Sequence, residues 1–142
     1  METANLEQAQ VSYNQGLAHL KSGNLDAVIE CFREALLLNP NFAEVHNTIG
    51  LIQFQIEKYE NAIQLFDNAL AMNPNFAEAY NNRGLARSKI CHKSEFPKVI
   101  EDYTKAKSIR VRSLGGVSYY SYGKMRNLRR KHGQKSVQAC NF

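Results

Sequence analysis

Apolar residues recur along the chain at spacings of three and four. Leu25, Val28, Ile29, Phe32, Ala35 and Leu36 form one such stripe, and Tyr59, Ala62, Ile63, Phe66, Ala69 and Leu70 form another. Each stripe predicts an amphipathic helix of about 14 residues with one face turned inward. The two stripes are offset by 34 residues, position for position. The same offset aligns residues 39–51 (NPNFAEVHNTIGL) with residues 73–85 (NPNFAEAYNNRGL), identical at nine of thirteen positions, and it links Gly16, Gly50 and Gly84. A period of this length is the mark of stacked supersecondary units, none of which can bury its apolar face without a neighbour.

Each period holds two helical halves. The first opens after Asn-Pro-Asn, because the residue before a proline is pushed out of the helical region. Asn41 and Asn75 are the expected caps, with Glu44 and Glu78 at capping-box spacing, so helices are predicted to start near Phe42 and Phe76. A glycine inside a helix costs about 1 kcal/mol relative to alanine, and close helix approach is the expected compensation. Gly50 is expected to face Ala62, and Gly16 and Gly84 to face Val28 and Val99. Residues 3–10 read as the opening turns of the first helix.

The third period begins in register at Tyr80 and Gly84, but its second stripe, from Val99 to Ala106, arrives three residues late. The turn between its helices is therefore enlarged. Pro97 is acceptable in the first turn of the late helix, with Ser94 or Glu95 near the cap.

On these residues the chain resembles the tetratricopeptide repeat (TPR) family, whose unit is 34 residues in two antiparallel helices. Gly50, Tyr59, Ala62, Phe66, Ala69 and Pro74 stand at the family's signature positions, as do Gly16, Gly23, Leu25, Phe32, Ala35 and Pro40 in the preceding unit. Val28 stands where alanine is usual, and Ser12, His46 and Tyr80 replace the family's common tryptophan. The resemblance implies an all-α, right-handed superhelical solenoid of antiparallel helix pairs, with units at 9–42, 43–76 and 77–110. It also implies a concave groove lined by the first helices. In register, that groove holds Tyr13, Asn14, Leu17 and Lys21, then Asn47, Thr48, Leu51 and Gln55, then Asn81, Asn82, Leu85 and Lys89. An asparagine amide there pairs with both the N–H and the C=O of a bound backbone. The expected function is non-catalytic capture of a peptide or partner helix of another protein. Family members that clamp the acidic tails of chaperones use lysine, asparagine and arginine at five groove positions. Here those positions hold Tyr13, Leu17, Thr48, Glu78 and Asn82. The carboxylate clamp is absent, and Glu44 and Glu78 at the groove edge favour a neutral or basic peptide.

Charge divides the chain in two. Residues 1–90 hold 6 Lys/Arg and 10 Asp/Glu, whereas residues 91–142 hold 12 and 3, with no acidic residue after Asp102. Residues 111–142 read as a basic segment: a degenerate fourth repeat, a capping helix over roughly residues 117–130, or a stretch that has left the pattern. Lys124, Arg126, Arg129, Arg130 and Lys131 lie close to Tyr119, Tyr120 and Tyr122. Cations among aromatics suit phosphates and stacked bases, so binding of nucleic acid or an anionic surface through this segment is the alternative function. A contact between this segment and the acidic repeats, or a solvated face, accounts for the same residues.

Catalytic chemistry finds little support. The three cysteines (Cys31, Cys91, Cys140) and four histidines are scattered without ligand spacing, which argues against a metal centre and against a disulfide framework. Cys91 and His92 are adjacent, but neighbours in sequence rarely serve as nucleophile and base. Glu101 and Asp102 do not share a helical face. Gly115-Gly116 lacks a phosphate-loop context. No enzyme activity, cofactor or metal is expected. The opening residues lack a signal-peptide pattern and no run is long enough to span a membrane, so the expected location is cytoplasmic.

Overall fold

The computed structural model describes residues 1–90, 94 and 96–113. These residues form six α-helices and no strand: α1 (Glu2–Ser22), α2 (Leu25–Leu38), α3 (Ala43–Gln55), α4 (Tyr59–Met72), α5 (Ala77–Lys89) and α6 (Phe96–Ser113). Consecutive helices pack as antiparallel pairs, α1 with α2, α3 with α4 and α5 with α6, and the pairs stack into an all-α solenoid.

Local chemistry sets each boundary. Gly23 adopts φ 77° and ends α1, and the N–H groups of Gly23 and Asn24 return to the carbonyls of Leu20 and His19. The Asn24 side chain then accepts from the Ala27 N–H at 3.3 Å and caps α2. One period later the same turn is made by Glu57 at φ 62°, with the N–H groups of Glu57 and Lys58 bonded to the carbonyls of Phe54 and Gln53. α6 carries Pro97 in its first turn, where no intrahelical N–H bond is lost. It runs past Arg110 to Ser113.

Two local expectations are corrected. Asn41 and Asn75 are not the caps: the N-cap residues are Phe42 and Phe76, without a side-chain cap bond. The asparagines that act are those before the prolines. The side chains of Asn39 and Asn73 accept from the N–H groups of Asn41 and Asn75 at 3.2 and 3.1 Å, closing a turn around the proline. The glycines also meet different partners. A Cβ on Gly16 would lie 2.4 Å from the Phe32 ring and one on Gly50 would lie 2.5 Å from the Phe66 ring, while Gly84 faces Asp102 and Tyr103. The nearest atoms thus belong to residues about one turn beyond Val28, Ala62 and Val99. At Gly16 and Gly50 a flat aromatic ring, rather than a small side chain, lies against the glycine backbone.

These rings organise the core. Phe32 packs with Ala9, Val28, Ala35, Phe42 and Val45, all buried, and Phe66 packs with Ala62 and Ala86. A further cluster of Ala43, Ala69, Leu70 and Ala79 joins the second pair to the third.

Candidate functional site

The first helices α1, α3 and α5 carry the residues expected to line a groove, and hydrogen bonds join α1 to α3 and α3 to α5. Thr48 donates to the Glu44 carbonyl at 2.9 Å, and its hydroxyl lies 3.0 Å from that of Tyr13. A threonine has one hydroxyl proton, so Tyr13 donates to Thr48 in this arrangement. Asn82 donates through Nδ2 to Asn47 Oδ1 at 3.0 Å. Each bond spans 35 residues, so the first ties α1 to α3 and the second ties α3 to α5.

Burial divides the row. Asn47, Thr48 and Asn82 are buried and serve as its floor. Tyr13 is half-buried, set against Phe32 and Phe42 with ring centroids 5.7 and 5.1 Å away. Burial raises its hydroxyl pKa, the Thr48 bond opposes this, and the carboxylates of Glu44 and Glu78 add to the rise. The phenol is therefore neutral at physiological pH. Leu17, Leu51 and Leu85 are half-buried at equivalent positions, as is Asn81. Asn14, Lys21, Gln55 and Lys89 are exposed, with Asn14 accepting from the Gln10 amide at 3.2 Å. Glu44 and Glu78 are exposed at the amino-terminal ends of α3 and α5.

An ionic cluster between α4, α5 and α6 escaped sequence reasoning. Asp102 is 1% exposed and pairs with Arg83 and with Arg87, the latter at 2.7 Å. Arg83 also reaches Asp67 at 2.7 Å and lies over the Tyr80 ring, 5.3 Å from its centroid. Burial pushes the Arg83 guanidinium pKa down, but its bonds to Asp102 and Asp67 outweigh this and hold it above its ordinary value. The available signal was Arg83 and Arg87, spaced i,i+4 around Gly84. Once the three-residue insertion is allowed for, Asp102 occupies the place of Cys31 and Leu65.

Among the described residues no group of His, Cys, Asp and Glu is placed to hold a metal ion, and no helix is long and apolar enough to cross a membrane. Lys124, Arg126, Arg129, Arg130 and Lys131 lie outside the described residues.

Comparison with known proteins follows the same repeats. The family described as tetratricopeptide repeat matches residues 9–42, and that described as TPR repeat matches residues 50–90. No curated protein matches the chain in sequence. Among solved structures, the first TPR domain of Spaghetti (RPAP3), bound to the HSP90 peptide SRMEEVD, has a TM-score of 0.70 at 20% identity, covering 96% of this chain and 98% of that one. The TPR2B domain of yeast Sti1, in a complex with Hsp70, has a TM-score of 0.72 at 17% identity, covering 91% and 98%. MamA has a TM-score of 0.64 at 22% identity over 76% of this chain, which spans only 61% of the MamA chain. With the 34-residue period, the helix pairs and the two family matches over residues 9–42 and 50–90, the chain belongs to the tetratricopeptide repeat family.

Proposed function

We propose that the chain is a non-catalytic protein-interaction scaffold whose concave first-helix face takes a peptide or partner helix. The observation that carries this reading is the row itself. Tyr13–Thr48 and Asn47–Asn82 link the three first helices, and these helices also carry the half-buried Leu17, Leu51, Leu85 and Asn81 and the exposed Asn14. Leucines cover apolar side chains of the ligand, and amides pair with its backbone without demanding a particular sequence. Pre-organised donors and acceptors lower the ordering cost of binding. Similar folds solved with HSP90 and Hsp70 partners add support for peptide capture as the mode.

The ligand differs from those acidic tails. No cation stands among Tyr13, Leu17, Thr48, Glu78 and Asn82, and Glu78 brings a carboxylate where the clamp needs the opposite charge. SRMEEVD is therefore expected not to bind at concentrations that saturate a clamp-bearing TPR domain, as read by calorimetry. Selection from a displayed library of short peptides tests the face directly. Peptides selected on the full chain are expected to lose affinity for Asn14→Ala/Asn81→Ala, whose thermal unfolding should match the parent. Unchanged affinity rejects the concave face. Loss of the ligand on Arg129→Gln/Arg130→Gln instead would move the function to the basic segment.

A further inference from the structure

The amino-terminal edge of the concave face is acidic. Glu44 and Glu78 hold the same position one repeat apart, and Glu2 and Glu7 lie on the opening turns of α1, where the terminal amine of Met1 offsets one of them. No lysine or arginine occurs in residues 1–20, 34–57 or 59–82. The cations of the repeats lie elsewhere: Lys21, Lys58 and Lys89 at or just past the carboxyl ends of α1, α3 and α5, and Arg33 on α2. Arg83 and Arg87 pair with Asp67 and Asp102. Neither Glu44 nor Glu78 makes an ion pair with a described residue.

Hydrogen bonds gather three helices around this edge. The Tyr13 hydroxyl lies 3.0 Å from that of Thr48, which donates to the Glu44 carbonyl at 2.9 Å, so the phenol of α1 sits at the start of α3. Asn82, bonded to Asn47 at 3.0 Å, brings α5 to the same stretch, and Glu78 stands one turn before it. Both carboxylates are near enough to act on the Tyr13 hydroxyl. Tyr13 gives its proton to Thr48, so its oxygen is left only to accept. The edge therefore offers three acceptors from three helices. Beneath it the floor is incomplete. Asn47 is 3% exposed and Asn82 9%, yet beyond their shared bond the Asn47 N–H groups and the Asn82 oxygen meet no described residue. A buried amide left unpaired costs free energy, and a peptide backbone supplies both the carbonyl and the N–H that complete it.

We propose that Tyr13, Glu44 and Glu78 form an ammonium subsite of the concave face, which takes a lysine side chain of a partner peptide whose backbone lies on Asn47 and Asn82. The subsite rests on the concave-face reading and narrows its ligand. A lysine ammonium has three N–H donors, one for each acceptor, and the carboxylates supply the opposite charge. A guanidinium prefers two parallel bonds to one carboxylate, which acceptors drawn from three helices do not offer. Asn47 and Asn82 lie three and four residues beyond Glu44 and Glu78, about 5 Å along the helix at 1.5 Å per residue. A four-carbon stem covers that distance from a backbone resting on the asparagines.

The test starts from peptides selected on the full chain out of a displayed library and kept only where Asn14→Ala/Asn81→Ala weakens them. They are expected to share a lysine at one position. Calorimetry then compares a synthetic copy with the same peptide carrying norleucine or arginine there. Norleucine should cost about tenfold in affinity, the size expected of two exposed charge pairs, and arginine should fall between. Glu44→Gln/Glu78→Gln should remove the difference between lysine and norleucine with circular dichroism unchanged. Asp26→Asn/Glu30→Gln takes equal charge from α2 and should preserve that difference. Groove-dependent peptides without a shared lysine, a norleucine or arginine copy that binds as tightly, or the same loss of preference in the α2 variant overturns the subsite and leaves the concave face in place. If no selected peptide depends on Asn14 and Asn81, the concave-face reading itself fails and the subsite with it. Peptide binding that emerges only after Lys124, Arg126, Arg129, Arg130 and Lys131 are changed to Gln also overturns the proposal, because it assigns the acceptors to the chain's own basic segment.

Discussion

Glu57 holds a conformation that favours glycine. Its φ of 62° is in the left-handed region, and its counterpart one period earlier is Gly23 at 77°. A side chain there costs about 1–2 kcal/mol, from the close approach of Cβ to the following carbonyl oxygen. Glu57→Gly should therefore stabilise the protein by up to about 1 kcal/mol, since part of the gain is lost to the freer unfolded chain. Urea denaturation of the two proteins checks it. His46 offers a second residue-level expectation. Its Nδ1 is buried without a partner among the described residues, and burial lowers its pKa below the ordinary 6.5. The unfolded chain thus takes up this proton first as pH falls. The contribution of His46 is flat above about pH 6.5 and turns against folding from there down to the lowered value. Tyr80 stands at the equivalent place in the next repeat, so His46→Tyr should shrink the stability lost between pH 7.5 and pH 5. An equal loss in both proteins would contradict this.

At the scale of elements, the third helix pair is held differently from the first two. Where those bury Phe32 and Phe66 against glycine, the third adds Asp102 clasped by Arg83 and Arg87. Removing one partner of a buried ion cluster costs about 3–5 kcal/mol because the remaining charges stay desolvated. Asp102→Leu should show a loss of that order. Combining it with Arg83→Ile and Arg87→Gln installs the residues of the second repeat, Leu65, Ile49 and Gln53, and should recover most of it. Thermal and chemical melts of the two variants distinguish this cluster from a surface decoration, for which neither change would matter.

The same elements mark how far the sequence could be read. Six helices and their pairing followed from the 34-residue period, because periodicity reports which face of a helix is inward. It does not report which neighbour meets that face. The glycine partners were therefore placed about one turn away, on Val28, Ala62 and Val99 instead of the aromatic side. Burial of Asn47, Thr48 and Asn82 was hidden for a related reason: polar side chains look solvated until their partners one repeat away are known. The apolar cleft that Leu25, Ile29 and Leu37 of α2 line with Ile49 and Ile52 of α3 depends on the distance between helices, a quantity no single stripe encodes.

Across the whole molecule, repeat one is the loosest part. α2 packs less closely on α3 than α4 does on α5, so repeat one leans on the Tyr13–Thr48 bond and the packing around Phe42. Native-state hydrogen exchange should find amides of α1 and α2 opening at lower free energy than those of α4 and α5. Equal opening energies throughout would show that the intervals are equivalent. Pulled end to end, the solenoid should therefore part first between the first and second repeats, an order of rupture that single-molecule force spectroscopy reads directly.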